Sequence, residues 1–322
     1  MRVLITASGG GHTGYALSLG LRLKGSVDLV FVTRRGDWLS KARIRRVIGD
    51  GVSIIETFGA RGPFDQAYTL APGLSRGFLD SLQLARLGVD VAVCMGHNHS
   101  VPPCLVAWLS GSRLVSLEAV DRFFTKGRAV RALSRVSDFV ALHWTEQKRL
   151  YNNGLVVGPV YEDPMYEPWD GGYILVTGGT YGHKPLFDSI LKAGIGDVVL
   201  QAGSRLYREY SSVKGWRVIR YTVDLHRLIA GARVVVTHQG VTAATAALAY
   251  GKPVVIVYNP EFRLAASPLD ALALGRKLGA PVVLNPRPET VVRALDNARP
   301  PRRISGNGAE LLAKAIMSLT RQ

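Results

Sequence analysis

The sequence predicts an α/β protein made of two Rossmann-like parallel-sheet domains. Three observations carry that expectation. Short, continuous, β-branched apolar runs recur along the whole chain, as in strands covered on both faces. Helix-compatible stretches lie between them, the pattern of repeated β-α units. A strand running into a glycine turn occurs once in each half, at VLIT followed by ASGGGHTGY (3–15) and at YILVTGG (173–179).

In the first half the strand candidates are VLIT (3–6), VDLVFV (27–32), VSIIE (52–56), DVAVCM (90–95), RLVSL (113–117) and DFVAL (138–142), with helical stretches at 14–24 and 102–110. The pattern restarts after GPV (158–160) and YEDPMYEPWDGG (161–172), a Pro- and acid-containing linker. The second set is YILVTGG (173–179), DVVLQAG (197–203), WRVIRY (216–221), RVVVTHQG (233–240), KPVVIVY (252–258) and APVVL (280–284). The expected domains are therefore 1–158 and 159–322, the second ending in SGNGAELLAKAIMSL (305–319). That segment has helical apolar spacing and Ser305 or Asn307 as N-cap, and as a terminal helix it would pack back on the N-terminal domain.

Composition narrows the function classes. The 322 residues carry a formal net charge of +16, which calls for polyanionic surroundings: nucleic acid, anionic lipid or a phosphorylated substrate. No nucleic-acid module or aromatic RNA-binding signature accompanies the charge, so a basic nucleic-acid-binding protein is the weaker, non-enzymatic reading. Cys94 and Cys104 are too few for a disulfide scaffold and lack metal-type spacing. No apolar run is long enough to span a bilayer and the N-terminus lacks a signal peptide's regions, which predicts a cytoplasmic protein.

The first glycine loop decides the chemistry. Gly9, Gly11 and Gly14 match the G-x-G-x-x-G dinucleotide spacing, but the second strand runs into Thr33, Arg34 and Arg35 rather than an acidic residue. Arginines there suit a 2′-phosphate, so an NADP-dependent oxidoreductase is a rival reading. A second complete α/β unit with its own Gly178-Gly179-Thr180 turn argues instead for two nucleotide folds facing a central cleft, the GT-B architecture.

Here the residues become recognisable. ITASGGGHTGYALSL (5–19) resembles the opening of the membrane-recruiting subunit of the eukaryotic transferase that adds the second N-acetylglucosamine to dolichol-linked oligosaccharide, and DVAVCMGHNHSVPPCLVAWLSGSRLVSLEAVDRFFTKGRA (90–129) continues the likeness. VTGGT (176–180) and VVVTHQGVTAATAALAYGKPVVIVYN (234–259) resemble its partner subunit. Both halves are more distantly similar to bacterial lipid II synthase, a family 28 glycosyltransferase. The resemblance implies an inverting, cofactor-independent transferase. Its donor would be a nucleotide sugar, UDP-GlcNAc in the family, and its acceptor a polyprenyl- or dolichyl-phosphate-type lipid on an anionic membrane surface. It would sit peripherally on the cytoplasmic face, with homo-oligomerisation left open. A sugar-nucleotide epimerase on the same fold is a further alternative.

His12 is the candidate base, because a histidine near pKa 6.5 accepts a proton at neutral pH. Gly9, Gly10, Gly11 and Thr13 are placed at the acceptor phosphate, where open N–H groups at a helix start hold an anion. His97 and Asn98 line the same cleft; the H-x-H of His97 and His99 lacks a third ligand, and no metal is expected. Glu118, with Asp121 beside it, would orient His12 or hold an acceptor hydroxyl. For the donor the candidates are Gly178, Gly179, Thr180, His238, Gly240 and Thr242. The chain departs from its relatives at Ala246 and Ala247, where a donor-ribose glutamate is usual, and at Ser267-Pro268-Leu269-Asp270 in place of an HQ pair. DWLSKARIRRVIG (37–49) mixes apolar and basic residues as an interfacial helix does, and Arg76, Phe78, Leu79 and Leu82 would extend that surface. A helix packing its apolar face inward is the competing account.

Overall fold

The computed structural model describes residues 1–59, 69–261, 266–301 and 306–319. Ser305, one of the two expected caps, lies outside them. The chain divides into two compact units, residues 1–160 with 306–322, and residues 161–305.

The first unit runs β1 (Arg2–Thr6), α1 (Gly10–Leu23), β2 (Asp28–Arg34), α2 (Trp38–Ile48), β3 (Ser53–Thr57), α3 (Leu70–Ser81), β4 (Val91–Cys94), α4 (Val101–Leu109), β5 (Arg113–Leu117), α5 (Arg128–Leu133), β6 (Phe139–Leu142) and β7 (Gly154–Val156). The second holds β8 (Tyr173–Thr177), α6 (Lys184–Lys192), β9 (Val198–Gln201), α7 (Gly203–Tyr210), β10 (Trp216–Ile219), α8 (Leu225–Gly231), β11 (Ala232–Thr237), α9 (Val241–Ala244), β12 (Val254–Val257), α10 (Pro268–Leu278), β13 (Val282–Val283) and α11 (Pro288–Asp296). The last helix, α12 (Ala309–Ser318), belongs to the first unit and packs on α1. Asn307 ties it there: its Oδ1 accepts from the Ala309 N–H at 3.1 Å, and its Nδ2 donates to Ser18 Oγ at 3.1 Å.

The two sheets share one strand order. In the first it is β3-β2-β1-β4-β5-β6-β7 and in the second β10-β9-β8-β11-β12-β13, all parallel. The reason is in the strands: Val3, Leu4, Ile5 and the whole of Val91–Cys94 are fully buried, so helices must cover both faces. A right-handed crossover to the outside of β1, then a return past it to β4, leaves a crevice between β1 and β4 at their carboxyl ends; β8 and β11 make the same one. Every candidate loop begins at one of these four strand ends, except that of Glu118.

Helix α2 divides its apolar residues between the core and the surface. Ile44 and Ile48 are buried on α1, and Phe78 of α3 packs into the core with α4. Trp38 and Leu79 are left 62% and 65% exposed, with Arg45 and Arg46 also at the surface. Among the described residues no helix is long and apolar enough to cross a membrane.

Candidate functional site

The loop after β1 is held almost entirely by protein groups. Asp37 caps α2 and its carboxylate accepts from the Ser40 N–H at 3.1 Å, the Ser40 hydroxyl at 2.8 Å, the Ser8 hydroxyl at 2.9 Å and the Gly9 N–H at 3.0 Å. Burial alone would raise its pKa, but these four bonds, Gly9 first, hold the carboxyl below its ordinary range. The Thr13 hydroxyl is buried against Ser40 Oγ at 2.7 Å, and Arg43 donates to the Gly10 carbonyl at 2.8 Å. Two of the residues expected at an acceptor phosphate have protein partners. Thr13 pins α1 to α2 instead of facing an acceptor, and the Gly9 N–H is taken by a carboxylate. Gly10 and Gly11, the first residues of α1, keep N–H groups with no helical carbonyl one turn back. Gly9 has φ 74°, which a side chain rarely adopts.

His12 projects from the first turn of α1. Its Nδ1 lies 2.5 Å from the Met95 carbonyl oxygen, which can only accept, so Nδ1 carries the proton and Nε2 keeps the basic lone pair. Desolvation lowers its pKa below that of a free histidine; the Met95 bond opposes this and the charge of Arg122 adds to it. The ring is therefore neutral at physiological pH. His97, in the loop after β4, stands 5.3 Å away, ring edge to face. Its Nδ1 accepts from the His99 N–H at 3.2 Å, which puts the neutral ring's proton on Nε2, beside Gly9. Burial first, then the charges of His12, His99 and Arg34, keeps it neutral too. The crevice thus offers one imidazole acceptor and one imidazole donor side by side. Asn98 follows at the start of a single 3₁₀ turn, half-buried.

Glu118 does not orient His12; the Met95 carbonyl does. The Glu118 carboxylate accepts from the Ala119 N–H at 2.8 Å, the Gly127 N–H at 2.9 Å and the Tyr151 hydroxyl at 2.5 Å, and so closes the 118–127 segment on itself. Burial raises its pKa against those bonds. His99 is a core residue, its Nε2 2.8 Å from Thr57 Oγ1, and burial drops its pKa to about 4. Among the described residues no group of three or more His, Cys, Asp or Glu is arranged to hold a metal.

The loop after β8 is built differently. Gly178 is followed by a 3₁₀ turn from Gly179 to Tyr181, then Gly182 and His183 lead into α6. Gly179 has φ +71°, and a Cβ there would lie 2.8 Å from Cε1 of His238, so glycine is required for the His238 ring, in the loop after β11, to lie over the turn. The Gly179 N–H is taken by Thr177 Oγ1 at 3.1 Å. Burial drops His238 to a pKa of about 4. Thr180 and Thr242 are half-buried, and Gly240, φ 134°, opens α9, which continues as a π-helical turn, Thr245–Ala249, where Ala246 and Ala247 sit. Ser267 and Asp270 form the capping box that starts α10.

Sequence reasoning missed what surrounds this loop. His183 is fully buried with neither ring nitrogen hydrogen-bonded, and burial, helped by His238, drops its pKa to about 3. Thr237 Oγ1, Gln201 Oε1, Gln239 Nε2 and Asn259 Nδ2 are likewise buried without a hydrogen-bond partner. Each such group costs about 1–3 kcal/mol in an unliganded fold. In the first unit the buried side-chain atoms without a partner, among the described residues, are fewer: Thr33 Oγ1 near the end of β2 and His99 Nδ1 in the loop after β4.

No protein-family model matches the chain, and no curated protein does. Solved structures do match over nearly the full length. MurG of Acinetobacter baumannii is 16% identical, with 98% of this chain and 99% of that one covered at a TM-score of 0.58. The glycotransferase of kitacinnamycin is 13% identical, with 98% of each chain covered at 0.67. The UDP-GlcNAc 2-epimerase of Neisseria meningitidis bound to UDP-GlcNAc is 12% identical, with 99% and 100% covered at 0.63. At these identities the likeness is one of fold: two parallel α/β units of the GT-B type, as the sequence predicts.

Proposed function

We propose that this GT-B chain is a nucleotide-sugar-dependent glycosyltransferase. In this reading it moves a sugar, N-acetylglucosamine from UDP-GlcNAc in the first instance, onto a lipid-linked polyprenyl- or dolichyl-phosphate-type acceptor. The observation that carries the reading is His12: a neutral imidazole at a strand's carboxyl end, its Nδ1–H committed to the Met95 carbonyl and its Nε2 lone pair left for a proton. Nε2 takes the proton of the acceptor hydroxyl as that oxygen attacks the sugar's C1. The C1–O bond to the diphosphate breaks, and its electron pair leaves with the nucleotide diphosphate. The anomeric centre inverts.

The acceptor is assigned to the first unit, where Gly10, Gly11 and the His97 Nε2–H supply donors for a phosphate. The donor is assigned to the second unit, at Gly178–Thr180, His238, Gly240 and Thr242. The +16 charge, with exposed Trp38, Leu79 and Leu82 on the first unit, suits peripheral attachment to an anionic membrane on its cytoplasmic face. Glu118 acts as the brace of the 118–127 segment.

A second reading, a sugar-nucleotide epimerase, is favoured by the comparable likeness to the Neisseria enzyme. Incubating the full chain with radiolabelled UDP-GlcNAc, with and without a polyprenyl-diphosphate-linked sugar in mixed micelles, tests the two together. Label passing to the lipid phase only when acceptor is present is the expected result. An isomerised nucleotide sugar formed without acceptor would replace the transferase reading with the epimerase one.

A further inference from the structure

Five residues of the second unit with buried polar atoms lacking a hydrogen-bond partner share one kind of place in the fold, while Thr245 Oγ1, a sixth, belongs to the π-helical turn that continues α9. Gln201 and Thr237 are the last residues of β9 and β11; His183 ends the loop after β8; Gln239 and Asn259 lie in the loops after β11 and β12. They therefore lie at the carboxyl ends of four strands that neighbour one another in the order β9-β8-β11-β12, where open α/β sheets bind ligands.

Two of these groups are tied together. Gln239 Oε1 accepts from the Asn259 N–H at 3.3 Å, and Asn259 Oδ1 accepts from the Glu261 N–H at 3.0 Å. A backbone N–H only donates, so these bonds fix which end of each carboxamide is oxygen. Both oxygens are engaged, and what remains is two NH₂ groups, on side chains 2% and 0% exposed, with nothing to bond. Gln239 follows His238, whose ring lies over Gly179, so the pair adjoins the loop assigned to the donor.

The chemistry selects the ligand group. A sugar hydroxyl both gives and takes hydrogen bonds and is best met by a side chain with a free oxygen as well as a free N–H. Here only donors are free, and they are uncharged. Such a pair, fixed in advance and shielded from water, complements oxygens that only accept, and a diphosphate, whose oxygens accept and carry charge, gains most from donors held in place. We propose that the Gln239 and Asn259 carboxamides form a neutral two-donor clamp on the diphosphate oxygens of the nucleotide ligand. The clamp rests on the reading that the second unit binds the donor.

Isothermal titration of the full chain with UDP, UDP-GlcNAc and uridine, on wild type, Gln239→Glu and Asn259→Asp, tests it. Each substitution keeps the oxygen that accepts the backbone N–H and replaces the free NH₂ by an oxygen. The clamp predicts that UDP and UDP-GlcNAc both weaken at least tenfold in either variant. UDP binding at wild-type strength while UDP-GlcNAc alone weakens would turn the amides toward the sugar and overturn the clamp, as would unchanged binding of both. Wild type that binds neither nucleotide would overturn the donor-site reading itself, a separable failure. Thermal unfolding checks that the variants fold. Should they not, the side-chain NH₂ signals of Gln239 and Asn259 in wild type, followed by NMR, serve instead: both are expected to shift on adding UDP and not on adding uridine, and signals that stay in place overturn the clamp.

Discussion

The two glycine loops stand at equivalent places, after the first strand of sheets with the same strand order, yet they are stabilised in opposite ways. After β1, Asp37, Ser8, Ser40, Thr13 and Arg43 meet the loop's polar groups with protein partners. After β8, the surrounding side chains keep buried donors and acceptors that the protein does not meet. A loop braced by protein hydrogen bonds holds one shape without ligand, which suits the seat of the proposed base, His12. A loop ringed by unmet polar groups gains most when a polar ligand arrives.

Substitutions probe that contrast in descending order of effect. His12→Ala removes the proposed base from the braced loop: transfer is expected to fall by about 10²–10⁴-fold with UDP affinity unchanged, read by initial rates and titration. Because burial lowers the His12 pKa, the acid limb of wild-type kcat/KM is expected below pH 6.5, the base staying unprotonated further into acid than a free histidine would.

Acid unfolding comes next. His99, His143 and His238 have folded pKa values of about 4 and His183 of about 3, each below the unfolded value of about 6.5. Below pH 6.5 the unfolded chain binds protons the folded one refuses, so stability is full above that pH and falls as pH drops from 6.5 toward 4. His143 shows why, with Nε2 donating to the Glu118 carbonyl at 2.7 Å and Nδ1 accepting from the Val160 N–H at 2.9 Å: a second ring proton would destroy the latter bond. At ~1.4 kcal/mol per pKa unit, His143 alone accounts for on the order of 3 kcal/mol, measurable by denaturant titration at pH 7 and pH 4.5. A UDP-saturated sample is expected to resist acid better than the free chain.

Asp37→Ala leaves the Gly9 N–H without its partner and α2 uncapped, a loss on the order of 1–3 kcal/mol read as a lower Tm, with UDP binding untouched. Gly179→Ala should do the reverse. With φ +71° and a Cβ driven onto His238, it is expected to weaken UDP about tenfold, and to lower Tm by no more than corresponds to the roughly 1–2 kcal/mol that a side chain costs in this backbone region and the shift of the His238 ring.

How much of this was legible beforehand follows from its physics. Continuous β-branched runs announced twelve strands within a few residues, because burial on both faces forces that composition. The thirteenth, Gly154–Val156, is a three-residue edge strand opening on glycine, and leaves no such mark. APVVL predicted five residues where only Val282 and Val283 pair in register with β12. At the site, glycine loops and histidines were legible because their spacing is local. What each donor bonds to was not: Asp37 reaches Gly9 across 28 positions, Met95 reaches His12 across 83, and the free NH₂ groups of Gln239 and Asn259 exist only as a consequence of burial.

Hydrogen–deuterium exchange with and without UDP tests the contrast most directly. The account predicts that UDP slows exchange at 178–183, 238–240 and 259–261 and leaves 8–13 at its own rate, already slow where Asp37 holds the loop. Protection appearing at 8–13, with the second loop unchanged, would contradict it.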